Sequence, residues 1–187
     1  MEPLVTAPTL DILYVARAIP SADADLAYLT SQVAWRDDLR ARQTASFGRP
    51  YNYSGQQYPA CAMPPTIAAL GARAAALVGH LFNNCLCNRY ESGINTMGFH
   101  ADSYEGLVPS SQIAIASFGA ARTLTFRSTD KLHRSELRLD HGSILVMTRA
   151  TQLAWTHAIR PAPAAGRRIS ATFRLIADAD QLDCAGL

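Results

Sequence analysis

Apolar and polar positions change rhythm near the middle of the chain. In the first half, LYVARAI at 13–19 alternates weakly and predicts a strand. Ser21 then precedes Asp23 and Asp25, and Leu26, Leu29, Val33 and Trp35 recur behind them, which predicts a helix with an acidic first turn. Residues 36–49 mix charges, with Arg36, Arg40, Arg42 and Arg49 against Asp37 and Asp38. From Phe47 to Pro65 the chain is rich in Gly, Pro, Tyr and Asn and reads as a long polar-aromatic loop or hairpin. Residues 66–82, TIAALGARAAALVGHLF, carry helical periodicity and much alanine. Beyond them come short apolar or alternating segments at 84–90, 96–102, 112–118, 122–127, 135–139, 143–148, 152–159 and 168–176. Turn-like pieces such as Glu91-Ser92-Gly93, Gly119-Ala120 and Asp140-His141-Gly142 separate them. Seven or eight short strands behind two helices predict a mainly β double sheet or barrel wrapped by helices.

A length of 187 residues fits one domain, and 49% hydrophobic content supplies a real core. The net charge of +2 neither demands nor excludes a nucleic-acid partner, because local clustering matters more than the sum. There is no run of 18 apolar residues without charge, so no membrane span is expected. The start MEPLVTAPTLD lacks the basic and apolar regions of a secretory signal. Cys61, Cys85, Cys87 and Cys184 read as ordinary thiols, since Cys85 and Cys87 are too close for a usual structural zinc half-site. A reducing, cytoplasmic setting and a monomer are the expectations.

The chemistry concentrates in the second half. His100 and Asp102 are two residues apart, which on a strand puts both on one side at about 6–7 Å. His157 lies in the late apolar segment AWTHAI. Two imidazoles and one carboxylate can hold iron(II) on one face and leave the opposite positions open to dioxygen and a bidentate oxyacid. A structural His157 is the competing reading, because an HxD pair with a distant histidine also arises by chance. Arg168 and Arg174 share one strand face with Ser170 and Thr172, opposite the apolar Ile169, Ala171 and Phe173. Such a face either lies solvated at the surface or lines a cavity that holds a dicarboxylate.

These residues closely resemble the AlkB family of iron(II)- and 2-oxoglutarate-dependent dioxygenases. The resemblance runs from about Asn83 to Ile176 through Asn88-Arg89-Tyr90, His100-Ala101-Asp102, Ser117-Phe118-Gly119, Phe126, Leu139-Asp140-His141-Gly142-Ser143 and His157, and ends in Arg168-Ile169-Ser170-Ala171-Thr172-Phe173-Arg174. A weaker match continues upstream through Tyr51-Asn52-Tyr53-Ser54-Gly55 and Ala62-Met63-Pro64. It implies one dioxygenase domain over 1–187. Residues 1–82 would carry N-terminal helices and a substrate-recognition loop region, and 83–176 a double-stranded β-helix, or jelly-roll, catalytic core of about eight strands.

The resemblance also implies roles. His100, Asp102 and His157 would be the catalytic iron ligands, and Arg168 the partner of the distal carboxylate of 2-oxoglutarate. Arg174, Asn88 and Tyr90 would complete that cofactor pocket, with Ser170 where relatives commonly have asparagine. Dioxygen would be co-substrate. The reaction would oxidise a methyl group on a base nitrogen and release formaldehyde, succinate and carbon dioxide. The implied partner is alkylated DNA or RNA, single-stranded or with the damaged base flipped out, carrying lesions such as 1-methyladenine or 3-methylcytosine. Tyr53, Tyr58 and His100 are the candidate walls for the base. Arg40, Arg42, Arg49, Arg89, Arg122, Arg127, Lys131 and Arg134 are available for phosphates or as dispersed surface charges, with Arg89 best placed and Arg122 and Arg127 near the strand pair whose arginines approach phosphates in relatives. Tyr104 stands where some relatives have an acidic residue near the base edge, which opens base choice. Hydroxylation or demethylation of a protein side chain or small molecule is the alternative activity. A non-catalytic nucleic-acid-binding protein on a decayed jelly roll is disfavoured by the intact His100, Asp102, His157, Arg168 and Arg174.

Overall fold

The computed structural model describes residues 7–37, 39–53 and 56–178. Cys184 lies outside them. Two sheets pack face to face. The larger has six strands in the order β1 (Ile12–Val15), β10 (Ser143–Met147), β7 (Ile113–Gly119), β12 (Arg168–Arg174), β5 (Asn84–Tyr90) and β2 (Gln43–Gly48). The smaller runs β6 (Met97–His100), β11 (Trp155–Ile159), β8 (Arg122–Ser128) and β9 (Arg134–Leu139). A two-stranded hairpin, β3 (Tyr51–Tyr53) and β4 (Gln56–Tyr58), stands apart from both. All neighbours within the two sheets pair antiparallel. This is the expected mainly β, jelly-roll architecture, with more strands than the eight expected.

Helices α1 (Ala22–Ser31) and α2 (Pro65–Val78) cover the outer face of the large sheet. The sequence explains both. Asp23 and Asp25 sit in the positive first turn of α1, and Ser21 Oγ donates to Asp25 Oδ2 at 2.8 Å. Pro65 opens α2, and Gly79, at φ 75°, ends it by donating its N–H to the Ala75 carbonyl. Leu29, Ile67, Leu70 and Ala74 meet Cys85, Cys87, Ile169, Ala171 and Phe173 in one apolar layer. Cys85 and Cys87 are buried with their sulfurs 3.7 Å apart, and burial pushes the Cys85 thiol up. A second layer lies between the sheets and contains Leu86, Tyr90, Ile113, Ile115, Leu145 and Met147 against Leu124, Phe126, Trp155 and Ile159. The two layers take alternate residues of the same strands, as the pleat requires.

Two elements differ from expectation. Residues 152–159 divide into the end of a short helix, α3 (Arg149–Ala154), and strand β11. Thr148 caps that helix, accepting from the Thr151 N–H at 3.3 Å. Strand β2 falls in the mixed-charge segment, where Thr44, Ala45 and Ser46 have too little apolar contrast to signal a strand, yet it pairs with β5 over six residues. Among the described residues no helix is long and apolar enough to cross a membrane.

Gly119 ends β7 at φ 80°, and a Cβ there would lie 2.5 Å from the Arg167 carbonyl oxygen, beside the first residue of β12. Gly119→Ala should therefore destabilise the protein by about 2 kcal/mol, read as a fall of about 4–8 °C in Tm for a chain of this size. Gly98→Ala, where a Cβ meets nothing within 4 Å, should leave Tm unchanged.

Candidate metal centre and cofactor pocket

His100 is the last residue of β6, and the register of β11 places His157 directly opposite it. The two ring centroids are 4.4 Å apart. Asp102 joins them by a route the spacing did not indicate. Strand β6 has already ended, so Asp102 lies in the following loop, where its backbone N–H donates to Gln152 Oε1 at 2.9 Å. Gln152, on α3, thus anchors the loop. One ligand atom from each of His100, Asp102 and His157 lies within 4.8 Å of the others. That is a facial donor set for one divalent metal such as Fe(II).

Protonation suits the role. His157 is 2% exposed, and burial, with His100 beside it, lowers its pKa to about 4. It is therefore neutral, the form that binds metal. His157 Nδ1 is buried without a hydrogen-bond partner. The His100 Nδ1–H donates to the Gly98 carbonyl at 3.0 Å, which leaves Nε2 its lone pair. Burial opposes ionisation of Asp102, but Arg174 and the two imidazoles outweigh it and hold the carboxyl below its ordinary pKa. Arg174 Nη2 donates to Asp102 Oδ2 at 2.6 Å, and its guanidinium lies 4.5 Å from the centre of the Tyr51 ring.

The face of β12 opposite the helices runs away from this centre. Arg168, Ser170, Thr172 and Arg174 are all buried. Arg168 pairs with Tyr90, and Ser170 with Asn88 on one side and Ser117 on the other. Arg168 Nη2 donates to Ser117 Oγ at 3.1 Å, and its guanidinium stands 5.3 Å from the Tyr90 ring centre. Burial lowers the Arg168 pKa and raises that of Tyr90. Arg168 Nε has no partner, and no carboxylate among the described residues pairs with this cation. A buried guanidinium without a counter-ion fits the distal carboxylate of a dicarboxylate. Asn88 lines the metal cleft with Met97, Thr172 and Arg174.

The expected substrate contacts fare differently. Tyr58 is 2% exposed in the inter-sheet layer, and its hydroxyl donates to Thr44 Oγ1 at 2.9 Å. It packs the hairpin to β2 and presents no face to a base. The Tyr53 side chain lies outside the described residues. Arg122 is 1% exposed and donates to the carbonyls of Asn95 at 2.9 Å and Arg160 at 2.6 Å, so it ties two loops together rather than meeting a phosphate. Arg89 points to the other side of β5, where Glu91 accepts from its Nε at 2.8 Å. Tyr104 is near the centre, but its hydroxyl donates to the Ser111 carbonyl at 3.0 Å, and burial, with the Asp102 charge behind it, pushes it up to about 12. Sequence reasoning missed Gln152, Ser117 and the Tyr51 ring under Arg174. Gln152 carried no signal, whereas Ser117 and Tyr51 each opened a motif already noted without a role assigned to that residue.

A family model for the 2OG-Fe(II) oxygenase superfamily matches residues 25–174. The chain belongs to that superfamily. It is 32% identical over 179 residues to the rat alpha-ketoglutarate-dependent dioxygenase alkB homolog 3, covering 84% of this chain and 61% of that protein. It is also 32% identical over 152 residues to the human DNA oxidative demethylase ALKBH2, covering 76% of this chain and 58% of that one. The chain thus spans about three fifths of the length of these curated relatives. The solved structure of OsALKBH1 shares the fold at a TM-score of 0.62 and 13% identity, over 91% of this chain and 99% of that one. The superfamily match and the donor geometry agree on His100, Asp102 and His157 as an AlkB-like triad.

Asp102→Ala should weaken metal binding by about 100-fold or more and destabilise the metal-free protein by about 3–5 kcal/mol, because Arg174 is left as a buried charge. Titration calorimetry with Mn(II) and a urea melt check the two effects. Tyr58→Phe should cost about 1–2 kcal/mol through the unpaired Thr44 hydroxyl and leave metal affinity unchanged; a weakened metal site in that variant would contradict the packing role.

Proposed function

We propose that this protein is an Fe(II)- and 2-oxoglutarate-dependent oxidative demethylase of N-alkylated bases, such as 1-methyladenine and 3-methylcytosine, in DNA or RNA. The observation that carries the proposal is Arg168, a buried cation that no carboxylate among the described residues pairs, on the strand that also delivers Arg174 to the metal ligand Asp102. When bound, iron and the 2-oxo acid supply the redox chemistry that reduces dioxygen.

The chain's own residues do the rest. Burial keeps His157 neutral and able to ligate, and Arg174 keeps Asp102 ionised. Arg168 receives the distal carboxylate, Asn88 and Tyr90 orient the oxo acid from β5, and Ser170 contributes a short hydroxyl to the same wall. The enclosing sheets exclude water, which strengthens each of these contacts. A methyl group hydroxylated on a base nitrogen then leaves as formaldehyde. The names of the two curated relatives, a dioxygenase and a DNA demethylase, support nucleic acid as substrate. A cleft of about 340 Å³ on the outer face of the smaller sheet, away from the metal residues, sets Arg134, Arg160 and Glu136 around Phe99. Arg127 stacks on Phe99 there, with 4.0 Å between guanidinium and ring centre, so cation and aromatic surface stand together. Single-stranded or flipped-out bases, a monomer and the cytoplasm complete the proposal.

A second reading, hydroxylation or demethylation of a protein side chain or small molecule, gains from the inward placement of Tyr58 and Arg122. The two part in one experiment, with Fe(II), 2-oxoglutarate and ascorbate supplied to methylated and unmethylated DNA and RNA oligonucleotides. The expected result is equimolar succinate and formaldehyde from methylated strands alone. Succinate that forms equally without nucleic acid, and no formaldehyde with any methylated strand, would reject the base-demethylase reading in favour of the second.

A further inference from the structure

By sequence Arg42 is one of several dispersed basic residues, available to a phosphate rim or as a surface charge. It is instead 9% exposed, and its Nε donates to Asn88 Oδ1 at 2.7 Å. Arg42 immediately precedes β2, and Asn88 sits in the middle of β5. Asn88 lines the metal cleft, while Arg42 also lines an outer cleft of about 360 Å³ with Asp37, Arg40 and Glu91. One guanidinium thus stands between the surface and the cofactor wall.

The contact fixes an orientation. An asparagine amide presents an acceptor on one side and a donor on the other, and a guanidinium only donates. Oδ1 must therefore turn to Arg42, which leaves the Asn88 NH₂ for the cavity. There a donor meets oxygens of a 2-oxo acid, whereas a flipped amide would repel them. The partner of Asn88 on β12 is Ser170, whose short hydroxyl replaces the longer amide common in relatives. Arg42 supplies a hold on Asn88 from the opposite side, that of β2. It is also close enough that its charge opposes the rise of the Tyr90 pKa.

We infer that Arg42 is a positioning residue for the 2-oxo acid: it locks the Asn88 amide with its donor facing the cofactor pocket. The inference rests on the 2-oxoglutarate pocket proposed above, so its test must separate the two.

The test is 2-oxoglutarate binding by titration calorimetry to Zn(II)-loaded protein, which needs no turnover, for wild type, R42M, R42K, N88A and the double variant R42M/N88A. R42M should bind 2-oxoglutarate about tenfold more weakly, with Zn(II) affinity unchanged. R42K keeps a donor-only cation and should stay within about threefold of wild type. R42M/N88A should match N88A alone, because both substitutions remove the same oriented donor. If R42M does not fold, R42Q takes its place; its amide can accept as well as donate and so frees Asn88 to flip. Wild-type affinity in R42M or R42Q, or losses from R42M and N88A that simply add, would overturn the role of Arg42 and leave the cofactor pocket standing. Failure of wild type to bind 2-oxoglutarate would overturn both.

Discussion

Strand β12 puts two arginines on the buried face of a central strand, and the rest of the site follows from how they are held. The pleat leaves no freedom: Ile169, Ala171 and Phe173 must face the helices for the outer core to close, so Arg168, Ser170, Thr172 and Arg174 must face the other sheet. Burying a guanidinium costs several kcal/mol unless it is paired. For Arg174 the partner is Asp102, 2.6 Å away, and that pair also fixes the metal carboxylate. For Arg168 the described protein offers a serine hydroxyl and an aromatic face, and no carboxylate. The first arginine is a structural commitment. The second is a desolvation cost that an incoming anion offsets.

The smaller sheet supplies the complementary part. Pairing β11 with β6 sets His157 against His100, so the imidazoles are aligned by main-chain hydrogen bonds rather than by loops. Asp102 needs a separate device because its strand has ended. Gln152 provides it, and depends in turn on the helix capped by Thr148. The metal centre is therefore assembled from a ladder, a cap and an ion pair, each on a different element, which suits a site that must hold its geometry within fractions of an ångström.

Much of this was legible because it repeats with period two. The alternation in β12 gave both the arginine face and the apolar face, and the resemblance supplied the roles. The illegible parts are long-range contacts of residues with bland local patterns. Nothing in ATQLAW marks Gln152 as the anchor of a loop fifty residues earlier. Thr44 and Ser46 do not look like a strand until β5 lies beside them. Arg122 looked like a phosphate contact because it lies near the strand pair whose arginines approach phosphates in relatives, yet its terminal nitrogens reach the backbone carbonyls of Ser92, Asn95 and Arg160. Tyr58 misled similarly, since a tyrosine in a polar loop gives no sign of the Thr44 hydroxyl that buries it.

Charge balance links the two halves of the cavity. Arg174 is balanced by Asp102 at 2.6 Å, whereas Arg168 has no carboxylate partner among the described residues. A divalent metal would add two positive units to this cavity, and a dicarboxylate would remove two. The two together restore the starting charge. In a medium of low dielectric, where such charges interact over the whole length of β12, each ligand favours the other. The proposed metal and 2-oxo acid would therefore favour each other's binding through Arg168, which Ser117 and the Tyr90 ring hold but no carboxylate among the described residues neutralises.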